Sequence, residues 1–167
     1  NMKYKPVVFD TAEAITSAFF AGRCQVYTTD MSDLAGARSK APKPDDYLVL
    51  PQVISKEPLG ASVRRGDDEW FEIVRWTQFA LLEAEENGLT QANVDQQKST
   101  NKDPGVQRFL GVNEDMGKLL GLDAEWAYRI VKQVGNYGES FERNLGSKSP
   151  LNLPRGANNL WTKGGLM

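Results

Sequence analysis

Asp30 and Asp33, two carboxylates three residues apart, are the side chains in this sequence whose spacing most suggests chemistry. They lie in Arg23 to Leu34, which reads RCQVYTTDMSDL. A carboxylate pair can hold a divalent cation or share acid–base work, but a cation wants six or more oxygen donors. No third carboxylate stands close by in sequence, and the chain of 167 residues has no histidine. The lack of histidine removes serine–histidine and cysteine–histidine dyads and most zinc sites together. Cys24 is the single cysteine, so it forms no internal disulfide, and on an apolar run it reads as a small core residue. Gly60, Gly66 and the Gly164-Gly165 pair fit no phosphate-binding fingerprint, and neither a GxxxxGK[ST] loop nor a GxSxG elbow occurs. The expectation is therefore no catalytic group, no metal and no cofactor. Asp30 remains, as a helix cap, as a partner for a cationic ligand, or as both.

The elements around Asp30 give it a position. Cys24 to Thr28 is rich in β-branched and aromatic residues and reads as a strand. Thr29 and Asp30 stop it, and Met31 to Arg38 reads as a helix with Asp30 at its cap. In open α/β sheets, ligands lie beyond the carboxyl ends of strands, which puts Asp30 at a crevice. Upstream, Val7 to Phe9 reads as a first strand. Asp10 then caps a helix from Thr11 to about Ala21, with Glu13 at capping-box spacing. Strand, helix and strand make a parallel, right-handed βαβ unit. Tyr47 to Leu50 is a third strand and Ala61 to Val63 a short fourth. Asp67 or Asp68 opens the strongest helix, Trp70 to about Glu86, with Gly88 to end it. Glu83, Glu85 and Glu86 near its end read as solvated. Thr90 to Pro104 is polar and reads as a loop or linker. Short helices follow over Gly105–Leu110, Asn113–Leu120 (Met116, Leu119 and Leu120 inward), Ala124–Val134 behind an Asp123 cap, and Tyr137–Leu145. Ser147 to Met167 reads as irregular.

Composition sets the outer limits. The length suits one ordinary domain, or one domain with an appendage. A net charge of −2, with no block of Lys or Arg, lacks the electrostatic footprint of a nucleic-acid binder. No apolar run is long enough to span a bilayer. No charged head and apolar core precede Val7, so no signal peptide is read there. A chain that opens on a strand is expected to be the remainder of something longer.

FDTAEAITSAFFAGRCQVYTTDMSDL, followed by ISKEPLGASVRRGDDEWFEIVRWT, resembles the second lobe of the extracytoplasmic solute-binding proteins of polar amino-acid ABC transporters. KDPGVQRFLG and NYGESFERNLG resemble the C-terminal extension of the general L-amino-acid-binding subfamily. The resemblance covers essentially the whole chain. It implies an α/β chain, a fragment of the two-lobed periplasmic-binding-protein fold (type II) with a helical C-terminal extension. Residues 1–57 would be part of the second lobe, 58–89 a crossing strand and long helix returning to the first lobe, and 90–167 a linker and the extension. Glu57-Pro58-Leu59-Gly60 falls where the second crossing strand should return. In this family the acidic residue at the end of the strand binds the ligand α-amino group, a role that falls here to Asp30. The residue before it, Thr29, can face the ligand side chain.

The family's first lobe, with its aromatic platform and carboxylate-pairing arginine, does not precede Asn1, and the SGTT-like helix start is absent. The expectation is a chain cut from a longer one. The implied whole is a non-enzymatic periplasmic carrier that closes on an L-amino acid and presents it to an inner-membrane ABC permease, with no nucleic acid involved. The alternative is the effector-sensing domain of a transcription regulator, which reuses the same architecture. A signal peptide ahead of Asn1 would favour the carrier, a helix-turn-helix the regulator. With the first lobe missing, part of the Trp70–Leu82 helix stands uncovered. Self-association of the chain is then expected, by exchange of the segment after Pro58.

Overall fold

The computed structural model describes residues 3–56 and 58–167; Asn1, Met2 and Glu57, the first residue of the expected return segment, lie outside the described residues. The chain divides into two compact units. Unit 1 holds Asn1–Pro58 and Pro150–Leu153; unit 2 holds Leu59–Ser149 and Pro154–Met167.

In unit 1, helix α1 spans Ala12–Phe20 and helix α2 spans Met31–Ser39. α1 starts one residue later than expected, because Thr11 and not Asp10 caps it: the Thr11 hydroxyl accepts from the Ala14 N–H at 3.2 Å. The core is small and aromatic. Phe19 and Phe20 from α1 meet Tyr47, and Phe19 also meets Tyr27, at ring centroid distances of 4.9 to 5.8 Å. Ala18, Ala35 and Ala41 are buried in the same unit.

Among the described residues no β-strand forms. Val7–Phe9, Cys24–Thr28, Tyr47–Leu50 and Ala61–Val63, all expected as strands, run as single segments without a pairing partner. Their β-branched and aromatic side chains suit a pleated surface, but a strand exists only when a neighbour takes up its N–H and C=O groups. Cys24 is accordingly half-buried and not a core residue.

Unit 2 is helical. Helix α3, Asp68–Glu86, is its spine, and the Asp67 carboxylate caps it by accepting from the Trp70 N–H at 3.3 Å. Helix α4, Val94–Thr100, lies within the segment expected to be a loop. Its composition is polar, but Val94 is fully buried and the rest is fixed from outside, by Tyr128 donating to Asp95 at 2.9 Å and by a Lys132–Asp95 ion pair. Helix α5, Pro104–Phe109, opens on Asp103, whose carboxylate accepts from Gly105 and Val106. Helix α6, Trp126–Val134, begins two residues later than expected, since Asp123 turns its carboxylate to the Glu125 N–H and to Arg129. Helix α7, Tyr137–Asn144, carries a capping box between Asn136 and Glu139. The buried Asn136 also donates to the Leu89 carbonyl at 2.7 Å, tying the start of α7 to the end of α3.

The core of unit 2 is Ala84, Leu89, Val94, Val106, Leu110 and Val131, with Phe109 and Tyr128 packed against it. The expected helix over 113–120 shrinks to a 3-10 turn at Gly117–Leu120, and Met116 and Leu119 point to solvent instead of inward. Gly117 lies so close to the Asp123 carbonyl that a Cβ there would stand 2.0 Å from it. The tail makes two 3-10 turns, Gly156–Asn158 and Trp161–Lys163, and buries Leu160. It is anchored through Glu85, which is not solvated as expected. The Glu85 carboxylate accepts two bonds from the Arg155 guanidinium, both at 3.0 Å, with the side chains 8% and 12% exposed. Arg155 also lies over the rings of Tyr137 and Phe141.

Candidate functional site

Asp30 stands at the cap position of α2, with φ −56° and ψ 145°, and its carbonyl accepts the first helical bond, from Leu34 at 2.9 Å. Its side chain makes no cap hydrogen bond. Of the other polar residues at α-helix starts, Asn93 and Glu125 likewise make no side-chain cap bond, and four behave differently. The side chains of Thr11, Asp67, Asp103 and Asn136 each accept from a backbone N–H of the helix they open. Asp30 therefore has the place of a cap without the function. It is half-buried, with no hydrogen-bond or ion-pair partner among the described residues.

Thr29, directly before it, is exposed, and so is Asp33 in the first turn of α2. Chemically the stretch offers two carboxylates without a side-chain partner among the described residues, Asp30 half-buried and Asp33 exposed, with a hydroxyl next to Asp30 in sequence. That suits a cationic or hydrogen-bond-donating ligand group and supplies no nucleophile–base pair. Among the described residues no group of three His, Cys, Asp or Glu side chains is placed to hold a metal ion. No described helix is long and apolar enough to cross a membrane.

Depressions elsewhere do not include these residues. One on unit 2 is lined by Phe79, Leu82, Glu83, Glu86, Asn87 and Met167. Partial desolvation, and then the neighbouring Glu86, raise the Glu83 carboxyl above its ordinary value, with Arg108 opposing. Sequence reasoning did not find this depression, because the residues that shape it are brought together from the end of α3 and the end of the tail. A second depression, between α3 and α6, is lined by Ile73, Thr77, Trp126 and Ile130 among others.

No family model matches the chain. A solved structure does. A periplasmic binding protein of an ABC transporter from Brucella ovis, with glutathione bound, matches 99% of this chain and 52% of its own at a TM-score of 0.89 and 52% identity. By fold the chain is thus a portion of a periplasmic binding protein. Curated relatives narrow the class. The general L-amino acid-binding periplasmic protein AapJ of Rhizobium johnstonii is 53% identical over 99% of this chain. The putative amino-acid ABC transporter-binding protein YhdW of Escherichia coli is 54% identical over 99%. The glutamate/glutamine/aspartate/asparagine-binding protein BztA of Rhodobacter capsulatus is 48% identical over 100%. The chain belongs to the periplasmic binding proteins of amino-acid ABC transporters, and it spans about half the length of the curated relatives it matches, 49% of each.

Proposed function

We propose that this chain is the ligand-gripping and C-terminal portion of a non-enzymatic, periplasmic carrier of L-amino acids. The whole protein closes about a hinge on its ligand and delivers it to an inner-membrane ABC permease. Residues 1–57 would belong to the second lobe, residues 58–89 would return to the first, and 90–167 would form the extension. The names of the relatives support the substrate class. One is called a general L-amino acid-binding protein, another a glutamate/glutamine/aspartate/asparagine-binding protein, and the Brucella protein holds glutathione. All these ligands share an α-amino, α-carboxylate head. None of these relatives is a transcription regulator, and nothing favours that alternative.

The observation that carries the reading is the uncommitted carboxylate of Asp30 at the start of α2. A desolvated ammonium group needs an anion, and Asp30 offers one. Thr29 would face the ligand side chain. Losing one partner of a buried charge pair costs roughly 3–5 kcal/mol, so Asp30→Asn in the full-length protein should weaken amino-acid binding by about two to three orders of magnitude. Asp33→Asn should stay within a few-fold. Titration calorimetry decides, and an unchanged affinity in Asp30→Asn would remove Asp30 from the site. In isolation the chain is expected to self-associate through its exposed apolar surface. A compact monomer in sedimentation at high concentration would contradict this.

A further inference from the structure

Helix α3 ends on the one Asn-Gly dipeptide of the chain, Asn87-Gly88. Every other asparagine precedes Met, Val, Lys, Glu, Tyr, Leu or Asn, whose side chains shield the next backbone nitrogen. Glycine leaves that nitrogen open to attack the asparagine side chain. A bond forms from the Gly88 nitrogen to Asn87 Cγ, the Cγ–Nδ2 bond breaks, and Nδ2 leaves as ammonia with the proton lost from Gly88. The resulting succinimide ring takes up one water. Opening at Cγ gives aspartate. Opening at the main-chain carbonyl gives isoaspartate, in which the backbone runs through Cβ and Cγ.

Access does not limit this reaction. Asn87 and Gly88 are both exposed, Asn87 lines the depression beside Phe79 and Met167, and a Cβ at Gly88 would meet nothing within 4 Å. The helix cap does limit it. Gly88, at φ +65°, donates its N–H to the Glu85 carbonyl at 3.1 Å, and Leu89 donates to the Ala84 carbonyl at 2.8 Å, the two bonds of a Schellman cap. Nδ2, the leaving group, donates to the Glu83 carbonyl at 2.9 Å. Asn87 holds ψ at 3°, so ring closure also requires its peptide plane to turn. The cap in turn hangs on Leu89, which is fully buried and whose carbonyl accepts from Asn136 at 2.7 Å. Helix ends open locally without unfolding the whole unit.

We propose that Asn87 is a site of spontaneous conversion to aspartate and isoaspartate in this protein, and that opening of the α3 cap sets the rate. Either product puts a carboxylate at the negative end of the helix, where the dipole opposes it. It joins Glu83 and Glu86, of which Glu83 is already held above its ordinary value by desolvation and then by Glu86. Isoaspartate also inserts a methylene into the main chain two residues before Leu89, the core residue that ties α3 to α7. Conversion thus loosens the cap irreversibly, whatever the protein binds.

The test ages the full-length protein at mildly alkaline pH and reads isoaspartate by enzymatic methylation and by fragmentation of the tryptic peptide Trp76–Lys98, which separates Asn87 from Asn93. Isoaspartate should arise first at position 87 in the folded protein, and about tenfold or more faster in the same protein held unfolded in urea. Asn87→Gln should remove the signal. Asn136→Ala, which frees the Leu89 carbonyl, should speed conversion about threefold or more in protein still folded by circular dichroism. The aged protein should have a lower urea midpoint than fresh protein, and aged Asn87→Gln should not. Isoaspartate arising first at another asparagine, no conversion of the folded protein over weeks, one rate for folded and unfolded protein, or an Asn136→Ala variant no faster than the parent would each overturn the proposal.

Discussion

Replacing Arg155 by Met should destabilise unit 2 by about 3 kcal/mol. Glu85 and Arg155 are both nearly buried and make two parallel bonds at 3.0 Å. Removing one member of such a pair strands the other charge out of water, which costs roughly 3–5 kcal/mol. Two features set the value at the lower end. Lys163 lies 3.8 Å from Glu85 and takes over part of the role, but it is 60% exposed and worth no more than about 1 kcal/mol. The Met side chain also retains most of the packing over Tyr137 and Phe141. Glu85→Leu combined with Arg155→Met removes both charges, and the double variant should recover to within about 1 kcal/mol of the parent. All four tryptophans, Trp70, Trp76, Trp126 and Trp161, lie in unit 2, so their fluorescence in a urea titration reports on that unit alone. With a slope of about 1–3 kcal/mol per molar urea, the single variant should lower the midpoint by about 1–3 M. A solvated Glu85 would predict almost no change. An unmoved midpoint, or a double variant as weak as the single, refutes the buried-pair argument.

Asn136→Ala should cost about 2 kcal/mol in the same titration, since it removes both the cap of α7 and the bond to the Leu89 carbonyl, leaving a buried acceptor unpaired. Gly165→Ala should release the tail: its Cβ would stand 1.8 Å from the Asn159 carbonyl oxygen, and amide protection at Leu160 and Gly165 should fall at least tenfold. Hydrogen bonds from Lys132 and then Tyr128 hold the Asp95 carboxyl below its ordinary value. A carboxylate depressed in this way stabilises the fold above its unfolded value and loses that contribution as pH falls through the folded one. The urea midpoint of the parent should therefore drop more steeply below about pH 4 than that of Asp95→Asn.

Where local pattern decides structure, the sequence was legible. Trp70 to Glu86 shows helical spacing, with Asp67 or Asp68 to open it and Gly88 to close it, and α3 runs Asp68–Glu86 with Asp67 as the cap. Met31 to Arg38 became α2 with one residue added. Where a distant partner decides, it was not. The segment VDQQKST has no apolar stripe, and it is helical because Val94 is buried and α6 supplies Tyr128 and Lys132. Glu85 finds Arg155 seventy residues away, a pairing that no local rule reveals. The four expected strands failed for the same reason in reverse: their residue types are right, but pairing needs a neighbour that the described residues do not supply. For the candidate site, Asp30 could be placed at a helix start from the order of residue types around it. That its carboxylate leaves the helix unbonded became visible only in the geometry.

The packing of α3 on α6 and α7 also bears on how the unit comes together in time. Residues 87 to 125 separate the end of α3 from the start of α6, so the spine is made long before the helices that bury its alanine face exist. Closing a loop of that length delays consolidation until the chain has emerged past α7. During that interval α3 offers water both its aromatics and its alanines. A nascent chain stalled before Tyr137 would be the species most prone to aggregate or to engage a chaperone.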